Sequence, residues 1–258
     1  MIKQSIKKIL NLFSYEIKKI NDTNVLTFNS NNQNKFDEYY KICKNESLNV
    51  SIDRFLSLYQ SVNYIFKNNI LGDFVECGVF KGGSAMMIAY AMQQFAHNKK
   101  NTKKLWLYDT YEGMANATIH DENILNQNAV LELKNNKKRE NQNDIWAYSP
   151  LNYVVNNIKK TGIHSQNVKY VKGLVENTLL KNLPEKICLL RLDTDFYEST
   201  KIELETLYPL LEVGGIIIID DYGHWKGCKK AVDEYFENKK NIFFQQIDYS
   251  GLIGVKIR

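Results

Sequence analysis

Two short acidic motifs contain the side chains best suited to carry chemistry. One apolar run ends in Asp193 and Asp195, and a second apolar run ends in Asp220 and Asp221. Each run has the pattern of a buried parallel strand, and neighbouring parallel strands bring their carboxyl ends to one edge of a sheet. Carboxylates that lie so close repel one another unless a hard cation sits between them. The pattern therefore predicts a divalent metal site.

A glycine-rich turn provides a second kind of site. The first predicted strand, 73–79, leads through Gly78, Gly82 and Gly83 into an apolar helix that begins at Ser84. Glycine lets the backbone approach a ligand, and a helix N-terminus offers free N–H groups to a carboxylate or a phosphate. The spacing of these glycines is not the G-x-G-x-x-G of dinucleotide-binding folds, which disfavours a nicotinamide cofactor.

Two later segments indicate that the ligand of this turn contains a nucleoside. Asp109 ends the second predicted strand, where an acid is the expected acceptor for ribose hydroxyls. The third strand delivers Gly173, Leu174 and Val175 to the same edge, where an adenine could lie against apolar side chains. A glycine turn and an acid on adjacent strands favour a nucleoside cofactor over a ligand-free turn.

The elements that must position these residues alternate between strand and helix from Gly72 onward, which is typical of a doubly wound parallel sheet. The predicted strands are 73–79, 104–109, 168–172, 187–193 and 215–220, with a closing antiparallel pair at 243–248 and 252–257; the predicted helices are 84–97, 198–211 and 226–237. A polar insertion over about 114–166 separates the second and third strands. Insertions at the carboxyl edge of a sheet commonly act as lids.

The N-terminal part of the chain has a different pattern. Residues 1–20 place apolar side chains at helical spacing and predict an amphipathic helix, 21–35 predict a loop, and 51–69 predict a second helix. We expect a helical extension over 1–70 and one α/β domain over 71–258. An exposed apolar stripe is unfavourable in a monomer, so a homo-oligomer is predicted, with attachment to a membrane surface as the alternative for residues 1–20.

Composition excludes several classes of protein. The 258 residues are 44% hydrophobic, enough for one large core, and the 34 basic and 29 acidic residues are scattered, which gives no indication of a nucleic-acid partner. The four cysteines lack metal-ligand or disulfide spacing. The sequence shows neither an apolar span of membrane length nor a signal peptide. We therefore expect a cytoplasmic protein without stable membrane insertion.

Four ordered motifs resemble the macrocin O-methyltransferase family. They are Glu76–Val79 with Gly82 and Gly83, Tyr108–Met114, Leu190–Thr200, and Ile219–Tyr222 followed by Gly227–Asp233, within a resemblance that covers roughly 70–240. The resemblance implies a Rossmann-like class I methyltransferase fold, with a seven-stranded, mostly parallel sheet and helices on both faces. It also implies S-adenosylmethionine and Mg²⁺ as cofactors and a sugar hydroxyl as the methyl acceptor.

Carried over by position, the resemblance assigns the cofactor's methionine part to Glu76, Gly78, Gly83 and Ser84, its ribose to Asp109, and the metal to Asp193, Asp220 and Asp221. Because the pKa of an alcohol is far above neutral, its oxygen must be coordinated to a cation before a nearby base can take the proton. Asp193 is the predicted base, with His224 and Asp195 as alternatives.

Phe196 bears on the acceptor. Catechol-type O-methyltransferases share the three-ligand metal layout but have a lysine base at this position, so Phe196 favours a vicinal diol of a sugar over a phenol. Trp225 could stack on a sugar face or anchor its loop, and Tyr111 and Glu112 could shape the pocket. The other histidines, His97, His120 and His164, are expected to be solvated.

Two other functions remain open. A nicotinamide-dependent sugar oxidoreductase is disfavoured by the glycine spacing and by the surplus of carboxylates. A non-catalytic assembly module is disfavoured because a lapsed site has no reason to retain repelling carboxylates. Binding of S-adenosylhomocysteine separates the methyltransferase from the oxidoreductase.

Overall fold

The structure is a computed structural model that describes residues 30–96 and 103–258, and the chain divides into two compact units, 1–35 and 36–258. The amphipathic helix predicted at 1–20 and His97 lie outside the described residues. The predicted loop was wrong for residues 30–35, which form the start of the first helix, α1 (Ser30–Cys43). Phe36 and Cys43 are buried farther along α1, and helix formation is cooperative, so a packed helix extends through its polar first turns.

Most of the remaining elements alternate between helix and strand. The helices are α2 (Ile52–Lys67), α3 (Gly83–Phe95), α4 (Ala129–Asn135), α5 (Leu151–Lys160), α6 (Val175–Thr178), α7 (Tyr197–Leu207) and α8 (Lys226–Phe236). The strands are β1 (Asp73–Cys77), β2 (Leu105–Asp109), β3 (Val168–Lys172), β4 (Ile187–Leu192), β5 (Leu211–Ile219), β6 (Ile242–Gln246) and β7 (Leu252–Lys256). Short 3₁₀ turns lie at Lys44–Glu46, Ser165–Asn167 and Tyr208–Leu210.

The strands form one seven-stranded sheet in the order β3-β2-β1-β4-β5-β7-β6. Strands β1 to β5 are parallel, and β7 is antiparallel to both β5 and β6. This confirms the predicted class I methyltransferase sheet. The chain leaves β1 in one direction toward β3 and returns to β4 on the other side of β1, so the switch point, where open α/β sheets bind ligands, lies between β1 and β4.

Strand β5 begins four residues earlier than the sequence predicts. Leu211 pairs with Ile187, and the register then shifts before Leu189 pairs with Ile216. The Gly214–Gly215 pair, which looks like a turn signal in the sequence, therefore lies at an irregularity within the strand rather than at its start.

Alternation along the strands assigns each side chain to a face. Val75, Cys77, Leu190 and Leu192 belong to a buried cluster with Leu204 and Leu207 of α7 and Cys228 and Val232 of α8. Because successive side chains of a strand point to opposite faces, Glu76 of β1 and Arg191 of β4 point to the other face. Helices α2 and α3 pack against each other there, and α2 contacts β4 and β5. The sheet thereby directs a buried charged pair toward α2 and α3.

The insertion between β2 and β3 contains α4, α5 and two isolated β-bridges. Asp121 is fully buried and accepts hydrogen bonds from the Thr118 N–H at 2.6 Å, the Thr118 hydroxyl at 2.8 Å and the Tyr197 N–H at 2.8 Å. Asn123 forms a bridge with Trp225. This part of the insertion is thus tied to the beginnings of α7 and α8, while movement of the insertion as a lid stays a prediction.

Within the described ranges, no helix has both the length and the apolar character needed to cross a membrane.

Candidate functional site

The carboxyl ends of the central strands open into one cavity of about 380 Å³. The register explains why it forms there, since Cys77 lies beside both Tyr108 and Leu192, and Leu192 lies beside Ile219. The residues that follow β1, β2, β4 and β5 therefore meet at one edge of the sheet. The predicted site residues that line the cavity are Gly78, Ser84, Asp109, Gly173, Leu174, Val175, Asp193, Asp195, Asp220, Asp221, His224 and Trp225.

Asp193, Asp220 and Asp221 form a compact cluster of carboxylates. One oxygen atom from each lies within 4.8 Å of the others, and Asp221 Oδ2 is buried without a hydrogen-bond partner. Burial raises the pKa of Asp193 and of Asp221, and charges on neighbouring carboxylates raise both further. A cation would relieve this repulsion, and carboxylate oxygens are the ligands that Mg²⁺ takes. The residues present fit a divalent cation.

Arg191 is the buried counter-charge of this cluster. Its guanidinium lies 2.6 Å from Glu76 Oε1, 2.7 Å from Asp193 Oδ2 and 2.6 Å from Asp220 Oδ1. It also donates to the Ser84 hydroxyl at 3.2 Å. Because a buried charge is costly unless it is paired, an arginine in the middle of an apolar strand signals nearby acids, and that signal was missed in the sequence.

Two residues assigned to the cofactor, Glu76 and Gly83, do not line the cavity. Glu76 is fully buried and does not line the cavity, because strand alternation turns its carboxylate toward Arg191. Gly83 does not line the cavity either. A Cβ atom there would lie 1.9 Å from Ser47 Oγ and 2.5 Å from the Cys43 carbonyl oxygen, so glycine is required where α3 begins against the end of α1. Both residues therefore stabilise the structure around the cavity, Glu76 through Arg191 and Gly83 through close packing.

Asp109 lines the cavity, but most of its hydrogen-bonding capacity is already used. Its Oδ2 accepts from the backbone N–H groups of Val79 and Phe80, at 2.7 and 3.1 Å. Its Oδ1 accepts from the Tyr111 N–H at 2.6 Å; the Thr110 hydroxyl lies 3.5 Å from Oδ1 but donates its hydrogen to the Gly113 carbonyl oxygen at 2.5 Å. A carboxylate oxygen has two lone pairs, so Oδ2 is saturated and Oδ1 retains capacity toward a ligand. Asp109 thus holds the glycine-rich turn in shape and has less room for two ribose hydroxyls than the sequence suggested.

Gly78 connects the turn to the metal cluster. Its φ angle is +79°, and a Cβ atom there would lie 1.9 Å from the Asp193 carbonyl oxygen. Only glycine allows the backbones after β1 and β4 to approach so closely. The glycine-rich turn is therefore in direct contact with the loop that begins at Asp193 after β4. This contact fixes the distance between a ligand bound at the turn and a cation bound at the carboxylate cluster.

Asp195 and His224 line the same cavity as the carboxylate cluster. Burial and the charge of Asp193 raise the pKa of Asp195 to about 7. Burial, together with the positive charge of Arg54, lowers the pKa of His224, whose Nδ1 is buried without a partner. His224 is therefore neutral at neutral pH and able to accept a proton there.

Aromatic residues near the cavity have mainly structural contacts. Trp225 is buried and meets the Phe196 ring edge-on at 5.4 Å between centroids, so it anchors its loop while one part of it lines the cavity. Tyr111 is buried and donates to the Leu107 carbonyl at 3.0 Å, and Glu112 is exposed and paired with Lys172. Neither Tyr111 nor Glu112 lines the cavity.

Two of the remaining histidines can be placed. His164 is exposed, as predicted. His120 is half-buried, contrary to the prediction, because its ring lies edge-on to Tyr197 at 4.9 Å and near Lys230. Neither contributes to the cavity lining.

Several lining residues carry no signal of their own in the sequence. Segment 46–50 and Arg54 close one side of the cavity from the start of α2, and the insertion contributes residues such as Asn123, Gln127 and Asn143. Glu176 also lines the cavity, directly after Val175, and its Oε2 is buried without a partner. A free buried acceptor beside the predicted adenine position is a candidate ligand contact.

Comparison with known proteins identifies the family of this chain. The family model described as macrocin-O-methyltransferase (TylF) matches residues 31–253. Among curated proteins, the demethyldecarbamoylnovobiocin O-methyltransferase of Streptomyces niveus is 29% identical over 186 residues, which are 72% of this chain and 66% of the relative. An 8-demethyl-8-(2,3-dimethoxy-alpha-L-rhamnosyl)-tetracenomycin-C 4'-O-methyltransferase of Streptomyces olivaceus is 30% identical over the same shares of each chain. The match thus spans about two thirds of the length of these relatives.

Solved structures of O-methyltransferases have the same fold. The O-methyltransferase NovP superimposes with a TM-score of 0.68 at 27% identity and covers 81% of each chain. An O-methyltransferase from Bacillus cereus in complex with SAH has a TM-score of 0.52 at 12% identity and covers 100% of each chain, which bears on the fold alone.

Proposed function

Since this chain belongs to the macrocin O-methyltransferase family, a family of S-adenosylmethionine-dependent enzymes, we propose that it methylates a sugar hydroxyl in the assembly of a bacterial glycan or glycosylated natural product. The observation that carries the proposal is the contact of Gly78 with the Asp193 backbone, which joins a cofactor-type turn to a cation-type carboxylate cluster in one cavity. Such a contact suits a reaction that depends mainly on positioning two reactants.

The cofactor half of the cavity is formed by the ends of β1, β2 and β3. S-adenosylmethionine would supply a methyl group activated on a sulfonium. Ser84, in the first turn of α3, and Gly78, directly after β1, would bind its methionine part. Asp109 offers the remaining capacity of Oδ1 to the ribose, and Leu174 and Val175 provide an apolar surface for the adenine.

The acceptor half is formed by the ends of β4 and β5. Asp193, Asp220 and Asp221 would hold Mg²⁺, which when bound lowers the pKa of a coordinated hydroxyl. Two adjacent hydroxyls of a sugar would both coordinate a cation held there. Phe196, at the position where catechol-type enzymes have a lysine base, also favours a sugar over a phenol as the acceptor. Asp193 remains the predicted base, and the unpartnered Nδ1 of neutral His224 supports His224 as the alternative. Homo-oligomerisation and a cytoplasmic location stay predictions.

Isothermal titration with S-adenosylhomocysteine tests the proposal directly. We expect micromolar binding to the wild type, with Mg²⁺ and with EDTA. Asp109→Ala should weaken that binding because the glycine-rich turn loses two backbone hydrogen bonds to the carboxylate, from Val79 and Phe80, and the Tyr111 N–H loses its acceptor as well. Asp193→Ala should leave it unchanged because its carboxylate belongs to the cation cluster. Absence of binding to the wild type under every condition would exclude the methyltransferase and favour the oxidoreductase or the assembly module.

Glu176 provides a second, sharper test of the cofactor half. We expect Glu176→Ala to weaken S-adenosylhomocysteine binding by about 10-fold, because a hydrogen bond between a charged acceptor and the adenine amino group is lost. The matched control is Glu132→Ala, another acid of the cavity lining.

An analogue without the amino group separates this contact from a general effect on folding. S-inosylhomocysteine has a carbonyl oxygen at C6 of the base in place of that amino group, so it should bind the wild type more weakly than S-adenosylhomocysteine does. The difference between the two ligands should disappear in Glu176→Ala. Equal discrimination by the variant and the wild type would place the adenine elsewhere.

A further inference from the structure

Asp220 is held from both sides by guanidinium groups. Arg191 Nη2 donates to Asp220 Oδ1 at 2.6 Å, and Arg54 Nη1 donates to Asp220 Oδ2. Asp220 and Arg54 are 2% and 6% exposed, so water does not compete with these contacts. Asp221 differs, because its Oδ2 has no partner. The cluster thus combines Asp220, whose carboxylate orientation is fixed by two arginines, with Asp221, which has one oxygen without a hydrogen-bond partner.

Arg54 is itself fully oriented by its surroundings. Besides the contact with Asp220, its Nε donates to Asp248 Oδ2 at 2.9 Å, and its Nη2 donates to the Asn49 carbonyl at 2.5 Å. Each of the three guanidinium nitrogens therefore has a partner of its own. A planar guanidinium held in this way cannot rotate without breaking hydrogen bonds to two acids.

Asp248 lies in the turn between β6 and β7 and is held in turn by three donors. They are the Ser51 hydroxyl at 2.6 Å and the backbone N–H groups of Ser250 and Gly251 at 3.0 and 2.7 Å. The Ser250 hydroxyl donates to the Asp220 carbonyl oxygen at 2.7 Å. The same turn therefore fixes the backbone of Asp220 directly and its carboxylate through Arg54.

We propose that Arg54 and Asp248 are positioning residues for Asp220, which set the orientation of this carboxylate and hence the affinity of the cluster for its cation. The inference rests on the proposed cation dependence. Neither residue lies among the cluster's own ligands, and both act through Asp220. Removing groups that orient a metal ligand commonly costs about 10- to 100-fold in metal affinity.

Mn²⁺ binding provides the test, measured by isothermal titration and by the loss of the free-ion electron paramagnetic resonance signal. Arg54→Lys retains the charge but loses the fork that joins Asp220 to Asp248, and Asp248→Asn retains the shape but loses the charge. We expect each variant to bind Mn²⁺ about 10-fold more weakly than the wild type. Binding of S-adenosylhomocysteine in EDTA should be unchanged, which a general loss of structure would not allow.

Glu212→Gln is the matched control for Asp248→Asn. It neutralises an acid paired with Lys186 at 2.9 Å near the start of β5, at the opposite end of the strand from Asp220. We expect wild-type affinity for Mn²⁺ in this variant. If Arg54→Lys does not fold, Asp248→Asn alone decides the question.

The outcomes are distinct. Wild-type affinity in Arg54→Lys and Asp248→Asn would overturn the positioning role and leave the proposed function intact. Higher affinity would also overturn it, because Arg54 would then compete with the cation for Asp220. A wild type that binds no Mn²⁺ would overturn the proposed cation dependence, and the positioning role with it.

Discussion

Replacement of Asp193 by asparagine will lower kcat by about 10³- to 10⁴-fold, since this carboxylate is both a predicted cation ligand and the predicted base. The amide has the same size and keeps a carbonyl oxygen near Arg191, so the fold and the contact with Gly78, which involves only the Asp193 backbone, should persist. S-adenosylhomocysteine should therefore bind as it does to the wild type. Methyl transfer from labelled S-adenosylmethionine to a panel of glycosides measures the loss.

The control for this variant is Asp144→Asn. Asp144 also lines the cavity but belongs to the insertion and lies outside the carboxylate cluster. A reduction in kcat of less than tenfold for Asp193→Asn would assign the proton transfer to His224 or Asp195 instead and limit Asp193 to a minor role in cation binding.

Arg191→Met should destabilise the protein by about 3–5 kcal/mol at neutral pH, because it leaves the buried carboxylate of Glu76 without its counter-charge and removes one of the two arginines that pair with Asp220. The side chain is 2% exposed and contacts Glu76, Asp193 and Asp220. Urea unfolding followed by circular dichroism measures the change. Arg139→Met is the control, since Arg139 is exposed and its contact with Asp144 spans 3.6 Å.

The loss in Arg191→Met should depend on pH in a specific direction. Burial already raises the pKa of Glu76 and of Asp193 in the folded protein, and Arg191 opposes that rise. Without the arginine the folded state binds protons more tightly than the unfolded state, so stability falls as the pH rises. The deficit relative to the wild type should therefore be smaller at about pH 5.5 than at pH 7.5. An equal deficit at both values would show that packing, not charge, accounts for the loss.

The sequence identifies the strands and the acids that follow them because both depend on local patterns. Apolar runs that end in Asp193 and Asp220 predict buried strands, and the rule that parallel strands share a carboxyl edge places those acids together. Helix α2 is also predicted from its spacing, but the partner of Arg54 is not. Asp248 is 194 residues away along the chain, and no local pattern encodes a contact of that range.

Glu76 and Asp109 show a different limit of sequence reasoning. Glu76 lies near the carboxyl end of β1 and Asp109 ends β2, as the sequence predicts, but the groups around each carboxylate decide what it binds. Strand alternation turns Glu76 toward a buried arginine, and three backbone N–H groups occupy most of the Asp109 carboxylate. A role that depends on which hydrogen bonds are already made requires coordinates.

The groups proposed to react lie at the strand ends, whereas the insertion contributes to the cavity wall. This arrangement bears on how such an enzyme can change over evolution. The carboxylates and the glycine-rich turn directly follow strands of the sheet. Part of the cavity wall belongs instead to the insertion, which is held by the hydrogen bond from the Tyr197 N–H to Asp121 and by the Asn123–Trp225 bridge. Substitutions in the insertion between these two contacts and α5 can alter which acceptor fits the cavity without moving a reacting group. Selection for a new acceptor can therefore proceed through the insertion while the methyl-transfer chemistry is inherited unchanged.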